Sequence, residues 1–195
     1  MKAIIWVAGL VIVAVSSTAL FAWSGVYNAA ADEPHWRLTE RLMVTMRDRS
    51  VAVRAGGIAV PDLSDEALIR TGAGNYEAMC VGCHLQPGVA KTELSIGLYP
   101  APPQFARKRP DDPAAAFWVI KHGLKMSGMP AWGKSMDDGS IWGMVAFLQR
   151  LPEMSEHEYH EMVESSEGHS HGSGDHGEHD GDHEHEEENG ERAHQ

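Results

Sequence analysis

Cysteine is nearly missing from this chain: 195 residues contain two, Cys80 and Cys83. No second cysteine pair exists to complete a four-cysteine zinc site. Charge is missing from Ala3 to Ala31. Basic side chains are nearly missing from residues 153–195, where Arg192 stands alone against 15 Asp and Glu. Residues 1–152 therefore hold 15 Lys and Arg against 13 Asp and Glu, a net charge of +2, while the whole chain carries −12. A near-neutral body gives no electrostatic ground for binding nucleic acid. There is no glycine-rich phosphate loop and no internal repeat.

The uncharged N-terminal run has the length of a membrane span. Ala3 to Trp23 covers 21 residues, and about 20 apolar residues cross a bilayer core. Lys2 precedes the run and Asp32 and Glu33 follow it, which predicts a single pass with the remainder of the chain outside the cytoplasmic membrane, in the periplasm. The alternative is a signal peptide cleaved near Ala29-Ala30-Ala31, leaving a soluble periplasmic protein. Residues 1–31 are thus a membrane anchor or signal segment, and the chain is exported on either reading.

Residues 32–63 read as an amphipathic helix and linker. Trp36, Leu38, Leu42, Met43 and Met46 recur at roughly helical spacing. Arg37, Arg41, Arg47, Arg49 and Arg54 lie among them, so the helix suits either a membrane surface or the side of a domain. Gly and Pro in "AGGIAVPDL" mark a boundary.

A compact region follows, residues 64–152. Ser64 is expected to cap a helix running toward Cys80. Residues 85–113 hold six prolines and read as an irregular wrapping loop. Ala114 to Lys125 is expected to be helical. A second loop carries Met126, Met129 and Pro130. Asp138 or Ser140 then caps a last helix, which ends at Leu151-Pro152. Three or four helices with long loops make a poor core for so short a domain, unless something large and apolar fills its middle.

The chemistry concentrates in "CVGCH", Cys80 to His84. Zinc, a redox dithiol and a covalently attached haem all use such a motif. Zinc would need four ligands, and outside the motif the body offers only His35 and His122. A redox dithiol normally opens a helix after a strand, but no alternating pattern precedes Cys80. Cys-x-x-Cys-His is the attachment motif of c-type haem. Each sulfur forms a thioether to the porphyrin edge, and His84 is placed to ligate the iron.

Residues 64–152 resemble a class I c-type cytochrome domain. Gly72, Tyr76 and Cys80 fall four apart, as do the small and aromatic residues of that family's N-terminal helix. "IWGMVAFLQRLP" resembles its C-terminal helix, and the resemblance implies that Met144 and Phe147 face Gly72 and Tyr76. "GLKMSGMPAWG" resembles the family's distal loop, which implies Met129 as sixth iron ligand, with Met126 and His122 as rivals. A loop carbonyl is further implied to hold the His84 ring N–H. "SGVYNAAADEPHW" is similar to stretches that follow the anchor in some membrane-bound bacterial cytochromes. The implied fold is all-α, wrapped around one covalent haem c with Cys80, Cys83, His84 and Met129 binding the cofactor.

Residues 153–195 are expected to be a disordered tail, since so acidic a segment cannot bury enough apolar surface to fold. It holds nine of the twelve histidines. His169, His171, His176, His179, His183 and His185 alternate with small and acidic residues, a composition suited to zinc, copper or nickel. The expected function is one-electron transfer between redox partner proteins of the membrane or periplasm. The chain reads as an electron carrier rather than an enzyme. The alternatives are a haem subunit of a larger membrane oxidoreductase complex, or a metal-buffering or sensing protein in which the tail is primary.

Overall fold

A computed structural model describes residues 1–166 and Gly168. Among these residues there are helices and loops and no strand, as expected of an all-α chain. The α-helices in order are α1 (Lys2–Trp23), α2 (Arg37–Ala55), α3 (Glu66–Met79), α4 (Val81–His84), α5 (Glu93–Gly97), α6 (Pro113–His122), α7 (Asp138–Arg150) and α8 (Glu156–Glu164). Short 3₁₀ turns span Trp132–Lys134 and Leu151–Glu153.

α1 buries none of its residues, and its most apolar stretch has a mean hydropathy of 2.4. Twenty-two residues extend about 33 Å at about 1.5 Å each, the thickness of a bilayer core. By length and composition the helix is suited to be a membrane anchor or a signal segment.

The core forms where α3 crosses α7. Ile69, Ala73 and Tyr76 of α3 pack against Ile141, Met144, Val145 and Phe147 of α7, all buried. The Tyr76 and Phe147 rings lie 5.4 Å apart. Two glycines set the separation. A Cβ on Gly72 would sit 2.0 Å from the Gly143 carbonyl oxygen, and one on Gly143 would sit 3.0 Å from the Leu68 oxygen. α6 covers another side of α7, with Phe117 stacked on Trp142 at 4.2 Å. α2 packs on α6 in turn, yet it buries only Ala55 and leaves Leu38, Leu42 and Val53 exposed.

Aspartates start the principal helices. Asp65, not Ser64, caps α3 by accepting the Ala67 N–H, and Asp137, not Asp138 or Ser140, caps α7 by accepting that of Ser140. In both cases the residue one position away has the extended backbone that leaves its carboxylate facing the free N–H groups. Asp112 caps α6, with Pro113 in the first turn. α6 stops at His122 rather than Lys125, because Gly123 takes φ +65 and a Cβ there would meet the Met129 carbonyl oxygen at 2.8 Å. The proline-rich loop contains one short helix, α5, started by a capping box between Thr92 and Ser95.

The acidic segment is ordered further than its charge suggests. Residues 153–164 were expected in the disordered tail, but α8 occupies Glu156–Glu164 behind a Ser155–Glu158 capping box. Tyr159 is fully buried there, 6.0 Å from the Phe147 ring, and its hydroxyl donates to Glu77 Oε2. Tyr159, Met162 and Val163 form an i, i+3, i+4 apolar stripe that packs on the core. The charge count averaged that stripe away.

Between α1 and α2 the chain folds back through aromatic contacts. Trp36 lies 5.9 Å from Phe21 of α1 and 5.1 Å from Tyr27. The Tyr27 hydroxyl pairs with His35 Nδ1 at 2.7 Å, and the His35 ring meets Tyr99 edge-on at 5.1 Å.

Candidate functional site

α3 delivers Cys80 at its C-terminal end, and one tight turn brings the rest of the motif beside it. The N–H groups of Cys83 and His84 both donate to the Cys80 carbonyl, at 3.1 and 2.9 Å. Cys80 is buried with Sγ 4.0 Å from Met144 Sδ, and Cys83 is half-buried. The two cysteines form no disulfide with each other. Burial, reinforced by the neighbouring Cys83, pushes the Cys80 thiol up to about 12. The Tyr76 hydroxyl donates to the Leu85 carbonyl at 2.6 Å. It thereby ties down a residue at φ 65 and ψ 170, a conformation that glycine adopts readily and leucine does not. Burial also raises the Tyr76 hydroxyl above its ordinary range.

His84 stands half-buried on one wall of a cleft. Its Nδ1 lies 2.8 Å from the Pro103 carbonyl, and its ring stacks on Phe105 at 4.7 Å. Burial lowers the affinity of its ring for a proton, partly opposed by the Pro103 hydrogen bond. The carbonyl accepts only if Nδ1 carries the hydrogen, so Nε2 is left as the nitrogen with a lone pair. Pro103 thus fills the role of the ring-orienting loop carbonyl, which no sequence signal singled out among six prolines.

Cys80, Cys83, His84 and Met129 all line this one cleft, which encloses about 940 Å³ with its open mouth. Ile120, Leu124 and Leu148 contribute to its apolar walls. Met129 is half-buried, and its loop is held at two points. Its N–H donates to Ser127 Oγ at 3.2 Å, and its carbonyl accepts from Leu124 N–H at 3.2 Å. Met126 is 78% exposed at φ 60. Together with His35 and His122 it lines a neighbouring groove, not the cleft. His122 packs on Trp118 at 4.9 Å. Arg47 of α2 also reaches the cleft, a residue whose part was illegible because its helix lies so far upstream. The tail candidates His169, His171, His176, His179, His183 and His185 lie outside the described residues.

The rival chemistries find little here. Among the described residues no three His, Cys, Asp or Glu side chains converge as a metal site, and no strand precedes Cys80 to give a dithiol its usual setting.

Residues 67–148 match the family described as Cytochrome C oxidase, cbb3-type, subunit III. No curated protein and no solved structure matches the chain. The match begins in α3 and ends in α7, so it contains the helix crossing, the CVGCH turn and the Met129 loop, and it leaves α1, α2 and α8 outside. Residues 67–148 are therefore a class I c-type cytochrome domain, a module whose work is haem-based electron transfer.

Proposed function

We propose that Cys80 and Cys83 hold one haem c through two thioether bonds, and that His84 and Met129 are the axial ligands of its iron. The observation that carries this reading is the convergence of all four side chains on one apolar cleft. The donor set fits the group. Two thiols sit at one edge, an imidazole with a free Nε2 lone pair stands in the wall, and a thioether comes from a loop held by its own hydrogen bonds. Haem so held supplies reversible one-electron exchange between Fe(III) and Fe(II).

The residues around it set the conditions for that exchange. Pro103 fixes the plane of the His84 ring and makes Nε2 a better donor. The Met129 sulfur is a soft, neutral ligand that favours the ferrous state and raises the potential. With His84 and Met129 both committed to holding the group, the site would offer no place for a small substrate. The apolar walls exclude water. The chain is therefore an electron carrier.

Its placement follows from α1. The apolar helix after Lys2 acts as a retained anchor, and the cytochrome domain, residues 64–152 with α8 added, stands outside the cytoplasmic membrane. The histidines beyond Gly168 bind zinc, copper or nickel through imidazole and carboxylate donors. A second reading is favoured by the family match, whose printed description is of an oxidase subunit: this chain works as the haem subunit of a larger membrane oxidoreductase complex. Co-purification of a partner after mild detergent extraction separates the two.

The reading is tested on the exported protein under denaturing conditions. Haem should remain with the chain through acid–acetone extraction, and mass spectrometry should find it on the peptide carrying both Cys80 and Cys83. A bare peptide, or haem that extracts freely, refutes it.

A further inference from the structure

Arg47 belongs to a helix outside the cytochrome domain, yet its side chain lines the cleft. Apart from the proposed ligand His84, it is the only ionisable nitrogen base among the described residues that do so. The other polar contributors are modest. Ser127 already spends its hydroxyl hydrogen on the Leu124 carbonyl, and Trp132 brings a neutral indole. Haem carries two carboxylates, and a carboxylate against apolar walls needs a cation or water beside it.

The guanidinium is held ready for such a partner. Nε and Nη2 of Arg47 both engage Asp48 Oδ1, at 2.8 and 2.7 Å, and Nη1 has no partner among the described residues. The side chain is 42% exposed, a rim position in which solvent screens its pairing with Asp48 and leaves the guanidinium able to take a second carboxylate. Its backbone is fixed by the packing of α2 on α6, and α6 supplies Ala116, Val119 and Ile120 to the same cleft.

We propose that Arg47 pairs with a haem propionate, and that α2 is thereby part of the haem site and sets its potential. This rests on the haem reading above. The electrostatics give a sign. Reduction adds an electron to the haem, and a guanidinium that neutralises a carboxylate beside it stabilises the added charge. Removing that cation disfavours the reduced state and lowers the midpoint potential. Arginine also suits the task geometrically, since its planar fork matches a carboxylate.

The test uses full-length holoprotein in detergent, with covalent haem confirmed first by its retention on a denaturing gel. Arg47→Gln should lower the reduced-to-oxidised ratio at a fixed electrode potential several-fold. Arg47→Lys, which keeps the charge, should restore most of that ratio. Arg54→Gln removes a neighbouring arginine of α2 that does not line the cleft and should leave the ratio as in wild type. An unchanged potential in Arg47→Gln overturns the proposal, as does a loss in Arg47→Lys equal to that in Arg47→Gln. Equal losses in Arg47→Gln and Arg54→Gln overturn it too, because they would report the general field of a basic helix. Absence of attached haem in wild type would sink the underlying reading instead.

Discussion

Gly72→Ala should be costly out of proportion to one methyl group. The new Cβ would lie 2.0 Å from the Gly143 carbonyl oxygen, 2.3 Å from its carbon and 2.9 Å from Met144 N. Ordinary contact begins near 3.4 Å, so α3 and α7 must part by more than an ångström. All three obstructing atoms are backbone, so no side chain can swing away. Overpacking of this kind costs about 1–3 kcal/mol and occasionally more. The alanine recovers up to about 1 kcal/mol of helix propensity. A net loss of about 2 kcal/mol results, and for a domain of roughly 100 residues it lowers Tm by about 8–16 °C. Thermal unfolding of the holoprotein, followed by circular dichroism, measures it. Gly139→Ala is the control: its Cβ meets nothing closer than 3.5 Å, and the change should stay within about 0.5 kcal/mol. If Gly72→Ala does not accumulate, Gly143→Ala offers a milder clash, at 3.0 Å from the Leu68 oxygen. A Gly72→Ala protein as stable as wild type, or one no worse than Gly139→Ala, would refute the close-crossing argument.

Met129→Leu should abolish the weak long-wavelength sulfur-to-iron band and lower the potential, while Met126→Leu should leave both; the reverse outcome moves the ligand to Met126. A chain ending at Ser166 should keep the haem spectrum and stability but lose most binding of copper, nickel or zinc. A chain ending at Pro152 also loses α8, and removal of the buried Tyr159 should destabilise it by about 3 kcal/mol or more; denaturant melts of the two truncations compare them directly. Tyr76→Phe strips the Leu85 carbonyl of its 2.6 Å donor and should cost about 1–3 kcal/mol, read from the same melts. Full-length protein should stay in membranes through a high-salt wash with its N-terminus at or near Met1; a mature start after residue 31 would show a cleaved signal.

Local signals made much of this fold legible. The CVGCH turn, the Gly72–Tyr76–Cys80 spacing and the Met129-Pro130 pair each lie within a few residues, and each reappears at the cleft or at the helix crossing. Features built from distant segments were harder to read. Gly143 stood unremarked in α7 because its partner, Gly72, lies in another helix. Pro103 was one of six prolines until the His84 ring was seen beside its carbonyl. Arg47 had no reason to stand out among five arginines on α2. The start of the tail was misplaced for a different reason: a sum of charges over 43 residues hides the three-residue apolar stripe of Tyr159, Met162 and Val163 that secures α8. Caps moved by one residue, because neighbouring Ser and Asp are both good caps and backbone direction chooses between them.

The contacts that run from Phe21 through Trp36, Tyr27 and His35 to Tyr99 bear on where an electron can go. A slack tether of the 13 residues 24–36 would reach about 20 Å, letting the domain tumble above its anchor and present its cleft in any direction. Stitched to Tyr99 of the cleft loop instead, the domain rides at one height and in one attitude when α1 lies in a bilayer. Its search for a partner would then be lateral travel in two dimensions. With α1 retained as an anchor, that geometry would favour redox neighbours held in the same membrane over freely diffusing carriers.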